Sequence, residues 1–316
     1  MRKRLTSIIG AIVIMLGLPA PAMAIVINDT AGSATSIALG GGHPAVVHLI
    51  VGGFRCSGAL IDATHVVTAE HCTSGILTGA MTVQFHHLNN DGASDLNIAV
   101  SAKAEMNATN QSLDGTDIAI LTLASAAPGG VGPLAFASGV TIGDTVDTVG
   151  FGLNGEGNVG HGGSWDGKRW AAENTLDQFG TAACTTEGFC TGGSVAGSAN
   201  ILNTDFDDGS AANNLLGNAT MLTNEGTTAG GDSGGPLLIN GLIAGVLTGG
   251  TTGNSVFGDI SWWTGTFMAA ARAFITANSN AVFVDPAQIP EPGTLMLMLL
   301  GLAGLFAGRQ RRLSTV

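Results

Sequence analysis

The run Gly-Gly-Asp-Ser-Gly-Gly-Pro at residues 230–236 constrains this chain more than any other feature. Its glycines leave the Ser233 hydroxyl open and let the backbone adopt φ > 0, so the run reads as a turn presenting a nucleophile. A serine hydroxyl is inert at neutral pH unless a base takes its proton. The turn therefore demands a histidine, and a buried acid to orient it. A fold that satisfies the demand must bring distant segments to one point.

Both partners lie upstream. His71 stands in Thr68-Ala69-Glu70-His71-Cys72, and Asp117 opens Asp117-Ile118-Ala119-Ile120-Leu121. The order His, Asp, Ser is that of chymotrypsin; subtilisins and α/β-hydrolases use other orders. On these three motifs, from about residue 25 to about residue 278, the chain resembles the chymotrypsin/trypsin family of serine proteases. The resemblance implies two six-stranded antiparallel β-barrels with a C-terminal helix and a site in the cleft between them. His71 and Asp117 would come from the first barrel and Ser233 from the second. It further implies that Ser233 attacks a peptide carbonyl, His71 relays the proton, Asp117 holds the imidazole, and the Gly231 and Ser233 amides form an oxyanion hole. The substrate would be a protein or peptide, and no cofactor is implied.

The residues read independently as all-β. Glycine accounts for 49 of 316 residues and charged residues for only 11%. Val, Ile and Thr runs broken by glycine favour short strands over helices. Apolar runs at 45–51, 57–61, 65–68, 81–85, 96–100 and 118–123 form one series. A small-residue linker at 124–132 separates it from runs at 145–149, 217–223, 236–239, 242–247 and 256–260. Barrels over about 45–123 and 140–262 follow. Residues 266–277 read as a helix with Phe267, Ala270, Ala271, Phe274 and Ile275 on one face. Residues 152–167 and 192–214 are Gly/Asn/Ser/Asp-rich and read as long surface loops.

Residues 1–24 form a signal peptide: Arg2, Lys3 and Arg4, an apolar stretch over 8–18, and Ala22-Met23-Ala24 for cleavage. Residues 279–316 form a linker and tail. Pro290-Glu291-Pro292 precedes an apolar run over 294–307 and then Arg309, Arg311 and Arg312. Fourteen residues span about 21 Å as a helix, short for a hydrocarbon core of roughly 30 Å. The basic end should stay cytoplasmic. The layout resembles the PEP-CTERM sorting tail of Gram-negative bacteria, which implies an exosortase-type partner and export to the cell surface, with signal peptidase acting at the other end. A plain membrane tail is the alternative. Residues 25–292 hold five Lys or Arg against 23 Asp or Glu, a net charge of −18. That argues against nucleic acid and anionic membrane as partners, so membrane contact is expected only through the tail.

The resemblance carries finer expectations. It implies a Cys56–Cys72 bridge at the histidine loop, which leaves Cys184 and Cys190 as the second pair. No metal centre is expected, since neither pair has C-x-x-C spacing; residues 205–209, Asp205-Phe206-Asp207-Asp208-Gly209, read as a solvated acidic turn, with a Ca²⁺ site the alternative. Cleavage after Ala24 would free the Ile25 amine to pair with Asp232, as the family's new N-terminus does. The specificity pocket falls near Thr227 at the floor and Gly250 and Ser255 at the walls. With no acid at the floor, a neutral residue before the scissile bond is expected. Glu70 replaces the family's alanine beside the histidine; it reads as pointing to solvent, and if it reached His71 it would raise that pKa. Two rival functions remain: a silent relative acting as a binding module of envelope or matrix, and an esterase.

Overall fold

A computed structural model of the chain describes residues 25–85, 95–107, 113–162, 165–180, 200–217, 221–251 and 253–288. Strand β1 (Ile25–Ile27) and helix α1 (Ser33–Gly41) precede a barrel. Its strands are β2 (Val46–Val51), β3 (Phe54–Leu60), β4 (His65–Thr68), β5 (Met81–Phe85), β6 (Leu96–Glu105) and β7 (Ala119–Leu123). They close in the order β2-β3-β4-β7-β6-β5. Period-two patterning explains the inside: Met81, Val83 and Phe85 are buried, while Thr82 and Gln84 between them are half-buried. One-turn helix α2 (Glu70–Thr73) hangs from the end of β4.

The second unit contains β8 (Phe136–Ala137), β9 (Thr145–Gly150), β10 (Asn154–Glu156), β11 (Gly160–His161), β12 (Trp170–Thr175), β13 (Gln178–Phe179), β14 (Ile201–Asp205), β15 (Gly226–Thr227), β16 (Pro236–Ile239), β17 (Leu242–Gly250), β18 (Ile260–Gly265) and β19 (Phe283–Val284). Its main sheet runs β12-β9-β16-β17-β18-β14-β13, with β8 beside β17 and β19 beside β8. The two-unit β architecture matches the expectation, but the second unit is a half-barrel rather than a closed one. Where β12 and β14 approach, a side chain spans the seam: Asn174 Nδ2 donates to the Asp205 carbonyl at 2.8 Å.

Helix α3 (Ala269–Asn278) ends the domain and buries Ala271 and Ile275, one turn apart. Those two residues join a single apolar cluster that includes Leu49 and Val67 of the first barrel and Val149, Leu238 and Val246 of the second unit. The two units are thus welded through one core, which fixes the walls of the cleft between them.

Three differences from the sequence reading have physical causes. The stretch 192–214 holds a strand, β14, buried along its whole length. Two of its polar residues find backbone partners that offset their burial: Asn203 Nδ2 donates to Gly180 O, and Asp205 Oδ2 accepts from the Leu215 and Leu216 amides. The supposed loop 152–167 likewise carries β10 and β11. Helix α1 went unread because its sequence, Ser-Ala-Thr-Ser-Ile-Ala-Leu-Gly-Gly, has no polar side-chain cap and ends in glycines. It forms by docking: Ser36 Oγ donates to Ala171 O at 2.6 Å, and a Cβ at Gly40 would lie 2.7 Å from the Arg169 carbonyl carbon.

Candidate active site

His71 sits on α2, directly after the strand that delivers it, and Asp117 precedes β7, the neighbour of β4 in the barrel. The pairing of β4 with β7 brings the two together. Asp117 is 1% exposed. Its Oδ2 meets His71 Nδ1 at 2.7 Å, and its Oδ1 accepts the His71 backbone amide at 2.8 Å. Both carboxylate oxygens therefore grip one residue, which fixes ring and backbone at once. With a carboxylate on Nδ1, the neutral ring carries its proton there and leaves Nε2 as the acceptor.

Burial opposes a charge on His71, but the hydrogen bond and charge of Asp117, together with the Glu70 charge, outweigh it and raise its pKa. Glu70 does not point to solvent: it is 1% exposed, and its Oε1 has no hydrogen-bond partner among the described residues. Burial in turn raises the Glu70 pKa; Ser74 opposes, the charges of Asp117 and Glu105 reinforce, and His71 opposes. Nearby, Glu105 accepts from Thr73 Oγ1 at 2.7 Å and Lys103 Nζ at 2.6 Å.

The Ser233 turn lies in the second unit and is pressed onto the first. Gly234 has φ +80°, a conformation that favours glycine, and a Cβ there would lie 2.8 Å from the Ala69 amide nitrogen. Ser57 of β3 makes three hydrogen bonds across this contact. Its amide donates to Ser233 O at 2.8 Å, its hydroxyl donates to Gly231 O at 3.1 Å, and that same hydroxyl accepts the Phe151 amide at 2.9 Å. Sequence reasoning missed Ser57; only its place next to Cys56 hinted at proximity to the site.

Cys56 and Cys72 are bridged. The Cys72 sulfur lies 3.9 Å from His71 Nε2 and 3.7 Å from the Ser233 carbonyl oxygen, so one atom touches both segments. Among the described residues no hydrogen bond joins Ser233 Oγ to His71 Nε2. Unliganded sites commonly hold this contact long. The Gly231 and Ser233 amides, both on half-buried residues, likewise find no acceptor among the described residues. Cys184 and Cys190 lie outside the described residues, as do residues 1–24 and the apolar run 294–307.

Asp232 is buried, 1% exposed. Oδ1 accepts the Gly152 amide at 2.7 Å and Oδ2 the Ala229 amide at 2.9 Å. Burial lifts its pKa to about 7 against the pull of those two amides. Strand β1 lies between the same two segments. Ile25 registers with Asn154, two residues past Gly152, and Val26 with Thr227, two residues before Ala229. Ile25 is fully buried and has φ +59°, a strained value for a β-branched residue. That dihedral exists only while a residue precedes it.

A cavity of about 210 Å³ opens beside Ser233. Gly250 and Ser255 line it, with Thr228, His161 and Asp259. Thr227 does not; its hydroxyl turns to Ser261 Oγ at 3.0 Å, and the next residue takes the wall. Asp205 and Asp207 are buried rather than solvated. Among the described residues no group of three or more His, Cys, Asp or Glu side chains is arranged to hold a metal ion.

The trypsin family profile matches residues 35–261, and the PEP-CTERM protein-sorting motif matches residues 288–312. Among solved structures the chain is similar to neuropsin, a serine protease expressed in the limbic system of mouse brain. The identity is 19%, the match covers 72% of this chain and 92% of that one, and the TM-score is 0.54. At that identity the likeness speaks for the fold. The family match spans most of the chain and encloses His71, Asp117 and Ser233, so the chain belongs to the trypsin family and is a serine endopeptidase.

Proposed function

We propose that the protein is an exported endopeptidase that cleaves peptide bonds through an acyl-enzyme on Ser233. The observation that carries this reading is the Cys72 sulfur in contact with both the Asp117-held imidazole and the Ser233 backbone. Substrate binding closes the remaining gap between Ser233 Oγ and Nε2. His71 then accepts the hydroxyl proton as Oγ bonds to the carbonyl carbon. The Gly231 and Ser233 amides, free to donate, receive the developing oxyanion. His71 returns the proton to the leaving amine as the C–N bond breaks; water, activated the same way, releases the acid product.

The Ile25 amine, freed by signal peptidase, pairs with Asp232. Support comes from the burial of that carboxylate and from the seat of β1 between its two amide donors. The pair would hold the Gly152 and Ala229 segments, and with them the Gly231 turn, in register. At the other end, the sorting-motif match supports export in a Gram-negative envelope and processing by an exosortase-type enzyme.

Fluorophosphonate labelling tests the reading. Protein that begins at Ile25 should label stoichiometrically, and Ser233→Ala and His71→Ala should not. An absence of labelling in folded, Ile25-started protein would favour the silent binding module. Parallel amide and ester substrates of one acyl group separate a peptidase from an esterase.

A further inference from the structure

The cavity beside Ser233 was expected to be neutral, yet it has a carboxylate in its wall. Asp259 stands just before β18, is 1% exposed, and lines the cavity together with Ser233. Its side chain is held in place: Oδ1 accepts from Thr251 Oγ1 at 2.6 Å and from the Ile260 amide at 2.9 Å. The backbone is fixed too, because Asp259 O accepts the Phe206 amide at 2.9 Å and Asp259 N donates to Val256 O at 3.0 Å. Gly250, which also lines the cavity, lies beside the carboxylate. A Cβ there would lie 3.4 Å from Asp259 Oδ2, so a larger side chain at that position would extend over the carboxylate. Three other wall positions, 230, 249 and 253, are also glycines that leave room for a long side chain.

We infer that Asp259 sets the specificity of this site, so that the enzyme cleaves after a cationic residue, lysine or arginine, whose head group enters the cavity and pairs with the Asp259 carboxylate. The inference rests on the peptidase reading above. A carboxylate anchored in a cavity takes a cation more readily than an apolar or acidic group, because an opposite charge adds to what its hydrogen bonds already offset of its desolvation, whereas an apolar or like-charged group deepens the cost. The net charge of −18 over residues 25–292 acts in the same direction, drawing basic segments towards the cleft. The charge comes from the β17–β18 side of the cavity rather than from position 227, so a search of the expected floor position alone passes over it.

The test uses signal-processed full-length protein and peptide amides that differ only in the residue before the scissile bond: Arg, Lys, Gln, Leu and Glu. The expected kcat/KM for Arg or Lys exceeds that for Gln by about 10²-fold, the size of a charge-assisted hydrogen bond in a buried setting. Asp259→Asn should collapse that ratio towards one. A ratio within one protein cancels general damage. Gly250→Ala, which sets a methyl beside Oδ2, should lower it in the same direction and serves if Asp259→Asn fails to fold. A readout independent of turnover is p-aminobenzamidine fluorescence on Ser233→Ala, which should show binding that Asp259→Asn in the same background removes. Cleavage preferring Leu or Gln, or equal amidine binding with and without Asp259, overturns the inference while leaving the peptidase intact. Failure to label or cleave anything refutes the peptidase reading instead, and the amidine result still decides the role of Asp259.

Discussion

Retaining Ala24 is the sharpest test of the proposed Ile25–Asp232 pair, because one extra residue would withdraw the positive charge that the proposal sets next to Asp232. The Asp232 carboxyl moves from an ordinary value of 3.8 to about 7 on burial without a cation. A gap of about three pH units corresponds to roughly 4 kcal/mol of unfavourable folding free energy once the group is ionised. The sign follows from proton counts. Between pH 4 and pH 7 the folded state keeps a proton that the unfolded state has lost, so stability falls as pH rises through that window and is lowest above it. A chain beginning at Ala24 should show this fall in full, together with the strain of Ile25 at φ +59°, about 1–3 kcal/mol. A chain beginning at Ile25 should be rid of both. Its ammonium stabilises the ionised carboxylate, and that contribution fades only as pH passes an α-amino pKa raised by the pairing above about 7.7–8.0. Asp147, Asp207 and Glu225 also have pKa values raised by burial and slope the same way. They are common to both chains, so the difference between the two urea-unfolding curves, measured from pH 4 to pH 8, isolates Asp232. Phosphonate labelling should follow the same difference. Superimposable curves and equal labelling rates would refute the reasoning.

Three further outcomes are expected. Ser57→Ala strips a donor from Gly231 O and an acceptor from the buried Phe151 amide, and at about 1–3 kcal/mol per orphaned group it should lower stability by about 2–6 kcal/mol and reduce kcat more than it raises KM; a loss under about 0.5 kcal/mol with unchanged kcat would dismiss Ser57 as an organiser. Glu70→Gln removes a negative charge that helps raise the His71 pKa, so the acid limb of the kcat/KM profile should move to lower pH; an unmoved limb would mean that the Glu70 charge does not reach the imidazole. Replacing Cys56 and Cys72 together by serine opens a loop of 16 residues, which should cost about 3 kcal/mol by urea unfolding and depress labelling, since the bridge sulfur touches both His71 and Ser233.

The chemistry of the site was more legible than its support. His71, Asp117 and Ser233 are found by residue type because proton transfer tolerates few substitutes, and the strands of the first barrel are found because one face of each must be apolar. Strand β4 is read to the residue, and so are β5 and β16. Supporting residues do not announce themselves in this way. Ser57 is one serine among many until its three contacts are seen, and the burial of Glu70 beside a titrating histidine defies the ordinary reading of a glutamate. Asp259 is 26 residues from Ser233 in sequence and reaches the same cavity only because β17 and β18 pair. The polar strand β14 was lost to its composition, since Asn203 and Asp205 look like loop residues unless their backbone partners are known.

An open sheet normally carries a liability, because a bare edge invites pairing with another chain. Here the half-barrel ends on β12 at one side and on the two-residue β13 at the other. Along β12, the Ala171 carbonyl is taken by Ser36 of α1 and the Glu173 amide by Asn224 O. Helix α1 thus acts as a cover strip along β12: among the described residues, part of the backbone that this edge would offer a neighbouring chain as a template is already taken within the fold.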